Sequence, residues 1–418
     1  MKTTFAVLLI ASAVLLPHCQ SSAAPSGDAA GLVERYWRAD GAAEQAAATQ
    51  ALAGATDDVD ALYGWLKSGP AYSADVPTGL VEMARSSEDG TSFPFVLLVP
   101  EDYNASRAYP VEFNLHGGVN RPKIQPGETA WRNGYESLAD ANKIVVLPIA
   151  WDDAFWWLDN QADNLPAILR LVKQRYNVDD NRVYMTGVSD GGTGSYFFAF
   201  MQPTEWAAFL PYIGHPGVLR NPRARVSYPL SFDNLKGKRL FIVNGENDRL
   251  YPARAVQPYI DMMSEAGADF EFTIIPNGGH NTEWMPEQRP RIEKFKRDNV
   301  RDPLPDTVHW VTSRTDRYNR NHWLRIDKLR SEGQPGRIEV SREGNHFEVT
   351  NFYVDGFTLL LSPEEVDFSK PITVTLNGTP VFAEIVPQSA TTLLNWANKD
   401  RDRSMLFTAE LSLSAPPQ

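Results

Sequence analysis

Cysteine is nearly absent from this chain. Cys19 is the single one in 418 residues, so no internal disulfide and no multi-cysteine metal site can form. Long apolar runs are scarce as well. Phe5 to Leu16, broken only by Ser12, falls short of the ~20 residues that span a bilayer, and no second stretch is long enough. Positive charge is in deficit. The formal net charge of −12 argues against non-specific binding to nucleic acid. Histidine is rare, with seven residues, which narrows the search for a catalytic base.

What is present has a globular composition, 43% hydrophobic and 22% charged, and the length suits two or three domains. Residues 1–23 read as an export signal. Lys2 supplies the positive start, the apolar run follows, and Ser21, Ser22, Ala23 and Ala24 supply small residues. The expected location is therefore secreted or periplasmic. Cys19 has two readings. It is a candidate lipid-attachment residue, with Leu16 three positions before it, although His18 replaces the small residue usual there. Otherwise it leaves with a signal cut after Ala23. A single acyl chain would give a weak, reversible membrane hold.

Residues 25–85 read as an alanine-rich helical lead-in that packs against the main domain. Val59, Leu62, Tyr63 and Leu66 keep helical spacing, and Thr56 with the two aspartates after it suits a helix start. From 88 to 302 short apolar runs alternate with helix-period segments. Phe95–Val99, Val111–Leu115, Ile144–Pro148, Val183–Thr186, Leu240–Asn244 and Phe270–Ile275 read as strands. Leu165, Ile168, Leu169, Val172 and Tyr176 mark one helix face; Val256, Tyr259, Ile260 and Met263 mark another. This alternation predicts an α/β fold, a mainly parallel sheet with helices on both faces. A proline-flanked linker, 302–306, leads to 307–418, where period-two runs and Asn377-Gly378 predict a small antiparallel β domain.

Gly187-Val188-Ser189-Asp190-Gly191 fits Gly-x-Ser-x-Gly between an apolar strand and the helix-like Tyr196 to Met201. Strand, tight turn and helix are what a nucleophile elbow requires. The bland reading is an inert serine in a glycine-rich turn. A serine hydroxyl needs a base. His18 lies in the signal, and His309, His322 and His346 in or near the β domain, which leaves His116, His215 and His280. His280 is best placed, on a loop of Pro276 to Gly279 after a strand. An acid should orient it. Asp248 follows the strand Leu240–Asn244, with Glu246 as a rival two residues away. Leu115-His116-Gly117-Gly118 follows an early strand and suits an oxyanion turn, pairing the N–H of Gly118 with that of Asp190. The His116 side chain itself reads better as packing.

These segments resemble the α/β-hydrolase superfamily, in the style of secreted esterases related to polyhydroxyalkanoate depolymerases and feruloyl esterases. They also resemble prolyl-oligopeptidase-type catalytic domains. The matching pieces are Val99-Pro100 with Tyr103, Tyr109-Pro110, His116 to Gly118, Tyr176 to Gly192, Asn244 to Pro252 and Gly278 to His280, within about half of the chain. The resemblance implies Ser189 as nucleophile, Asp248 as acid and His280 as base. Two positions depart from it. Asn244-Gly245 stands where many relatives have a histidine before the glycine, and Asp190 follows the serine where many have a hydrophobic or neutral residue.

Trp151, Phe155, Trp156, Trp157 and Trp284 are candidates to grip a hydrophobic acyl group, a sugar or an aromatic acid, or else are ordinary packing. Asp152, Asp153 and Asp159 read as a cation site or a solvated loop, the latter being commoner. About sixty positions separate serine and acid and about thirty separate acid and base. That predicts an open site, covered mainly by His215-Pro216-Gly217 and the segment to Asp233. The expected function is an exported serine hydrolase of carboxylic esters, small or polymeric, with no metal or organic cofactor and no nucleic-acid partner. The alternatives are a serine peptidase of the prolyl-oligopeptidase type, weakened by the lack of a propeller-length segment, and a surface binding protein that uses the β domain. Trp310, Trp323 and Trp396 are candidates for a binding face there, though fold-completing packing is the stronger reading.

Overall fold

The computed structural model describes residues 27–124 and 128–415. The expected signal and Cys19 lie outside the described residues. The apolar runs of the central region become an eight-stranded sheet. Its strands are β1 (Gly79–Ser86), β2 (Ser92–Val99), β3 (Tyr109–Leu115), β4 (Ile144–Pro148), β5 (Val178–Val188), β6 (Ala208–Tyr212), β7 (Arg239–Gly245) and β8 (Asp269–Ile275). Six of them contain the runs read from the sequence. All of β1 but Ser86 falls in the stretch 25–85 expected to be helical. As an edge strand it alternates half-buried with exposed residues, so its apolar signal is diluted. β6, five buried residues with Pro211 among them, carries no strand period in the sequence.

The strand order is β1-β2-β4-β3-β5-β6-β7-β8. β2 pairs antiparallel with β1 and β4, and every other pairing in this sheet is parallel. The chain passes from β3 to β4 on one side, then returns across β3 to β5. The carboxyl ends of β3 and β5 therefore meet at a topological switch point, where open α/β sheets form ligand crevices.

Helices cover both faces because neighbouring strand residues point opposite ways. Leu240 and Ile242 join the core beneath α4 (Asp159–Arg175) and α6 (Ala253–Glu265), while Phe241 and Val243 join Ile292 and Phe295 of α7 (Met285–Asp298). The expected faces of α4 and α6 are inward, with Leu165, Ile168 and Val256 fully buried. α5 (Asp190–Met201) is buried along its length from Gly191 to Phe200.

The lead-in forms α1 (Gly27–Arg38), α2 (Ala42–Ala53) and α3 (Val59–Ser68). Asp58 caps α3, accepting the N–H groups of Asp60 and Ala61 at 3.0 and 3.1 Å. The lead-in does meet α4 of the main domain, where Gln174 Nε2 donates to the Ala39 carbonyl at 2.8 Å, but the apolar faces of these helices find a second partner. Val33, Tyr36, Leu52, Leu62 and Leu66 share a core with Leu393, Leu394, Ala397 and Leu406, around the C-terminal helix α8 (Ala390–Asp400). Each fully buried leucine contributes about 1.5–3 kcal/mol. α8 offers that lead-in the broad apolar stripe it needs.

The C-terminal region carries two further sheets. One has four strands, β10 (Arg320–Asn321), β11 (Leu324–Leu329), β14 (Val354–Leu361) and β17 (Ala409–Ser414). The other has five, β9 (Thr307–Thr312), β12 (Gly336–Glu343), β13 (His346–Phe352), β15 (Ile372–Leu376) and β16 (Thr379–Glu384). All pairings are antiparallel except β13 with β15. Trp310, Trp323 and Trp396 lie in the core of this region at 1%, 2% and 4% exposure. They complete the fold and do not form a binding face. The seam with the central sheet is polar: buried Arg301 donates to the Thr204 carbonyl at 2.9 Å and to Asp402 at 2.6 Å.

Candidate active site

β5 ends at Val188 and α5 begins at Asp190, so Ser189 alone makes the turn, at φ 58° and ψ −116°. Such a backbone costs a non-glycine residue about 1–3 kcal/mol and persists only where its surroundings impose it. Here glycines permit the close approach. A Cβ on Gly187 would fall 2.1 Å from the Gly191 carbonyl oxygen, and one on Gly191 would fall 1.9 Å from that of Leu115. The Ser189 N–H donates to the Tyr212 carbonyl at 2.9 Å, which locks the turn to β6.

The loops after β7 and β8 lie back to back above this turn. Their contact needs Gly245, where a Cβ would meet the Gly278 carbonyl oxygen at 2.4 Å. Asn247 N–H donates to that same carbonyl at 2.9 Å. The pairing delivers His280, whose Nε2 is 2.8 Å from Ser189 Oγ and whose Nδ1 is 2.7 Å from Asp248 Oδ2. Asp248 is buried at 2% exposure, and its Oδ1 accepts the N–H groups of Leu250 and Tyr251 at 2.7 and 2.9 Å. Both carboxylate oxygens are thus held. Glu246 takes no part: it is exposed, and Oε2 accepts the Asn277 N–H at 2.9 Å.

Asn244, at the position that departs from the family pattern, is fully buried. Its Nδ2 is 3.2 Å from the carbonyls of both Gly214 and Tyr251, so it ties the acid loop to the segment after β6. Tyr251 sets its ring edge-on to His280 at 5.7 Å. Burial, with the nearby Asp190 and Asp248 charges, pushes its hydroxyl up to about 12, so it stays a neutral neighbour.

The turn after β3 carries Gly117 against the serine; a Cβ there would lie 3.0 Å from both Ser189 Cβ and the Val188 carbonyl oxygen. Gly118 adopts φ 65°, a conformation that suits glycine. His116 is buried and packs. Its Nε2 accepts the Ala150 N–H at 3.0 Å, its Nδ1 lies 2.8 Å from the Gly117 carbonyl, and its own carbonyl accepts Trp156 Nε1–H at 2.9 Å. Burial, with Arg121 alongside, lowers its pKa to about 4, so the ring is neutral near neutral pH. His215 also turns to structure, accepting the Gly217 N–H at 3.0 Å on Nδ1. Its segment is stitched to Trp157, whose Nε1 donates to the Ala224 carbonyl and whose carbonyl accepts the Tyr228 hydroxyl, both at 2.9 Å.

The four tryptophans read as substrate grips are buried. Trp151, Trp156, Trp157 and Trp284 are 5%, 0%, 2% and 6% exposed. Their rings support the loops from behind: Trp156 under His116, Trp284 against Tyr212, Trp151 against Phe93. Asp153 pairs with Arg225, and Asp159 with Arg317 and the Tyr318 hydroxyl. The accessible apolar surface lies elsewhere. Leu250, beside the acid, is 64% exposed, and the His280 side chain keeps 22% exposure. Neither Leu250 nor Tyr251 was singled out from the sequence. Their only signal is their place between Asp248 and Pro252.

Ser189, Asp248 and His280 therefore come from the carboxyl ends of β5, β7 and β8, on a sheet ordered 1-2-4-3-5-6-7-8. The fold is that of the α/β-hydrolases. No family model matches the chain. The chain is 29% identical over 155 residues to a bifunctional acetylxylan esterase/xylanase of Neocallimastix patriciarum, covering 36% of this chain and 21% of that protein. It is 32% identical over 119 residues to a probable feruloyl esterase C of Aspergillus flavus, covering 27% and 43%. It is 21% identical over 243 residues to dipeptidyl aminopeptidase A of Saccharomyces cerevisiae, covering 50% and 26%. The chain spans less than half the length of each of these relatives. Among solved structures, a thermostable esterase superposes with a TM-score of 0.43 at 20% identity, over 53% of this chain and 63% of its own. Among the described residues no helix is long and apolar enough to cross a membrane.

Proposed function

We propose that this protein is an exported serine hydrolase that cleaves carboxylic esters carried on a polymer, with Ser189 as nucleophile, His280 as general base and acid, and Asp248 as the residue that orients the histidine. The observation that carries this reading is the unbroken hydrogen-bonded chain from Ser189 Oγ through His280 to Asp248, at 2.8 and 2.7 Å. Ser189 Oγ adds to the ester carbonyl while His280 Nε2 accepts its proton. The tetrahedral oxyanion is held by the N–H groups of Gly118 and Asp190. It collapses to an acyl-enzyme as the alcohol leaves with the proton from His280. Water, deprotonated by His280, adds to the acyl carbon, and the acid departs as the proton returns to Ser189.

Ester rather than amide cleavage is supported by the likeness to two relatives named as esterases, an acetylxylan esterase/xylanase and a probable feruloyl esterase. A polymer is supported by the partly exposed His280 and by the exposed Leu250, two residues past Asp248. The test is labelling of the mature protein with a fluorophosphonate, with Ser189→Ala alongside, followed by acetylated and feruloylated xylan and a dipeptide anilide. Labelling that vanishes in the variant, together with ester turnover, supports the reading. Equal labelling of both, or cleavage of the anilide alone, overturns it.

A further inference from the structure

The Asp190 carboxylate is unlike the residue usual after such a serine, and its geometry gives it work. Asp190 is the first residue of α5, where the helix dipole favours an anion. Its Oδ2 does not face solvent alone. It accepts the backbone N–H of Val119 at 3.0 Å, across a separation of 71 residues. Val119 is buried at 1% exposure, and its N–H would be costly to leave unpaired.

The turn after β3 is thereby fastened at two points. His116 holds its start, through the Trp156 indole and the Ala150 N–H. Asp190 holds its end. Between them lie Gly117 and Gly118, two residues without side chains to fix them, and Gly117 lies against Ser189. A glycine pair held at one end only would sample many orientations. A donor aimed at a developing oxyanion acts because its orientation is settled beforehand.

We infer that the Asp190 side chain is a positioning residue for the oxyanion site: by accepting the Val119 N–H it fastens the Gly117-Gly118 turn to the nucleophile elbow and withdraws that N–H from the site, which leaves the Gly118 N–H to face the oxyanion. This rests on the reading of Ser189 as the nucleophile. One residue then serves the site twice, with its backbone N–H as a donor and its carboxylate as the clamp on the opposite donor. The clamp needs an acceptor at this position, not a negative charge.

The experiment compares Asp190→Ala, Asp190→Asn and Asp190→Leu with the wild type on a soluble aryl ester. It measures kcat and KM separately, the fluorophosphonate labelling rate, and the thermal midpoint. The clamp predicts that alanine and leucine lower kcat and the labelling rate together by about 10–100-fold, with KM within about threefold. Asparagine, whose amide oxygen accepts the same N–H, should keep at least about a third of the wild-type kcat. An alanine variant as fast as the wild type overturns the inference. So does an asparagine variant as slow as alanine, which would make charge the active property, and so does a loss confined to KM. A wild type that neither labels nor turns over esters refutes the nucleophile assignment instead, and is distinguishable because it needs no variant.

Discussion

Asp248 and Glu246 stand two residues apart on one loop and face different partners. Asp248 Oδ2 is 2.7 Å from His280 Nδ1, whereas Glu246 Oε2 accepts the Asn277 N–H at 2.9 Å. Asp248→Asn should therefore lower kcat by about 10³–10⁴-fold, because the amide no longer accepts from Nδ1–H and favours the wrong tautomer. Glu246→Gln keeps an oxygen for Asn277 and should change kcat less than about threefold. Steady-state kinetics on one aryl ester decide it; equal losses would mean that Glu246 orients the histidine.

Two glycines around the serine should fail differently. Gly191→Ala places a Cβ 1.9 Å from the Leu115 carbonyl oxygen, against backbone that cannot step aside. It should destabilise the protein by more than about 3 kcal/mol or prevent folding. Gly117→Ala meets Ser189 Cβ and the Val188 carbonyl oxygen at 3.0 Å and Ser189 Oγ at 3.6 Å, close contacts that a small shift of the turn relieves. It should fold with a thermal midpoint near the wild type, yet lose about 10–100-fold in kcat/KM. Paired calorimetry and kinetics would separate the two; full activity of Gly117→Ala would contradict the packing.

Burial and Arg121 hold the folded pKa of His116 at about 4, below its ordinary 6.5. Between these values the unfolded chain binds more protons than the native one, so stability rises with pH across the window. As pH falls from about 6.5 to 4, protonation of His116 should by itself remove on the order of 3 kcal/mol of stability. A proton on Nε2 would face the Ala150 N–H that this atom accepts. Urea denaturation of wild type and His116→Asn at pH 4.5, 5.5 and 7.5 tests it. The wild type should lose stability faster than the variant; parallel losses would sink the prediction.

The lead-in is held from the other end of the chain. Buried Arg401 donates to the carbonyls of Tyr36 and Trp37 at 2.8 and 2.9 Å and of Ala39 at 3.1 Å, and it also meets Gln45. These are carbonyls at the C-terminal end of α1, which a cation suits. Arg401→Ala should cost about 2–4 kcal/mol and expose the α1–α2 junction to limited proteolysis. Unchanged cleavage there would show that the apolar contacts with α8 suffice.

Much of this architecture was legible along the chain because its signals are local. Short apolar runs bounded by turns marked six of the eight central strands. Gly-x-Ser-x-Gly between strand and helix marked the elbow, and the order serine, acid, histidine needed no contact map. β1 and β6 were not legible: an edge strand spreads its apolar residues thinly, and five buried residues with a proline carry no period. The tryptophans misled because an indole after a strand looks the same from sequence whether it faces a ligand or backs a loop. Its burial and the partner of its N–H decide, as for Trp156, fully buried and donating to the His116 carbonyl.

By itself the sequence determined which groups are available and in what order: Ser189 in its glycine frame, two carboxylates on one loop, and His280 after a strand. Tertiary structure placed the Asp248 carboxylate, and not that of Glu246, within hydrogen-bond reach of His280, and it turned His116 and His215 to structural use. It also gave Asp190 a partner in Val119 and joined α1–α3 to a helix more than 300 residues away. Periodicity and turn chemistry act between near neighbours and can be read in order. Hydrogen bonds and packing between distant segments depend on where the sheet order carries each strand end, and only the assembled sheet sets that.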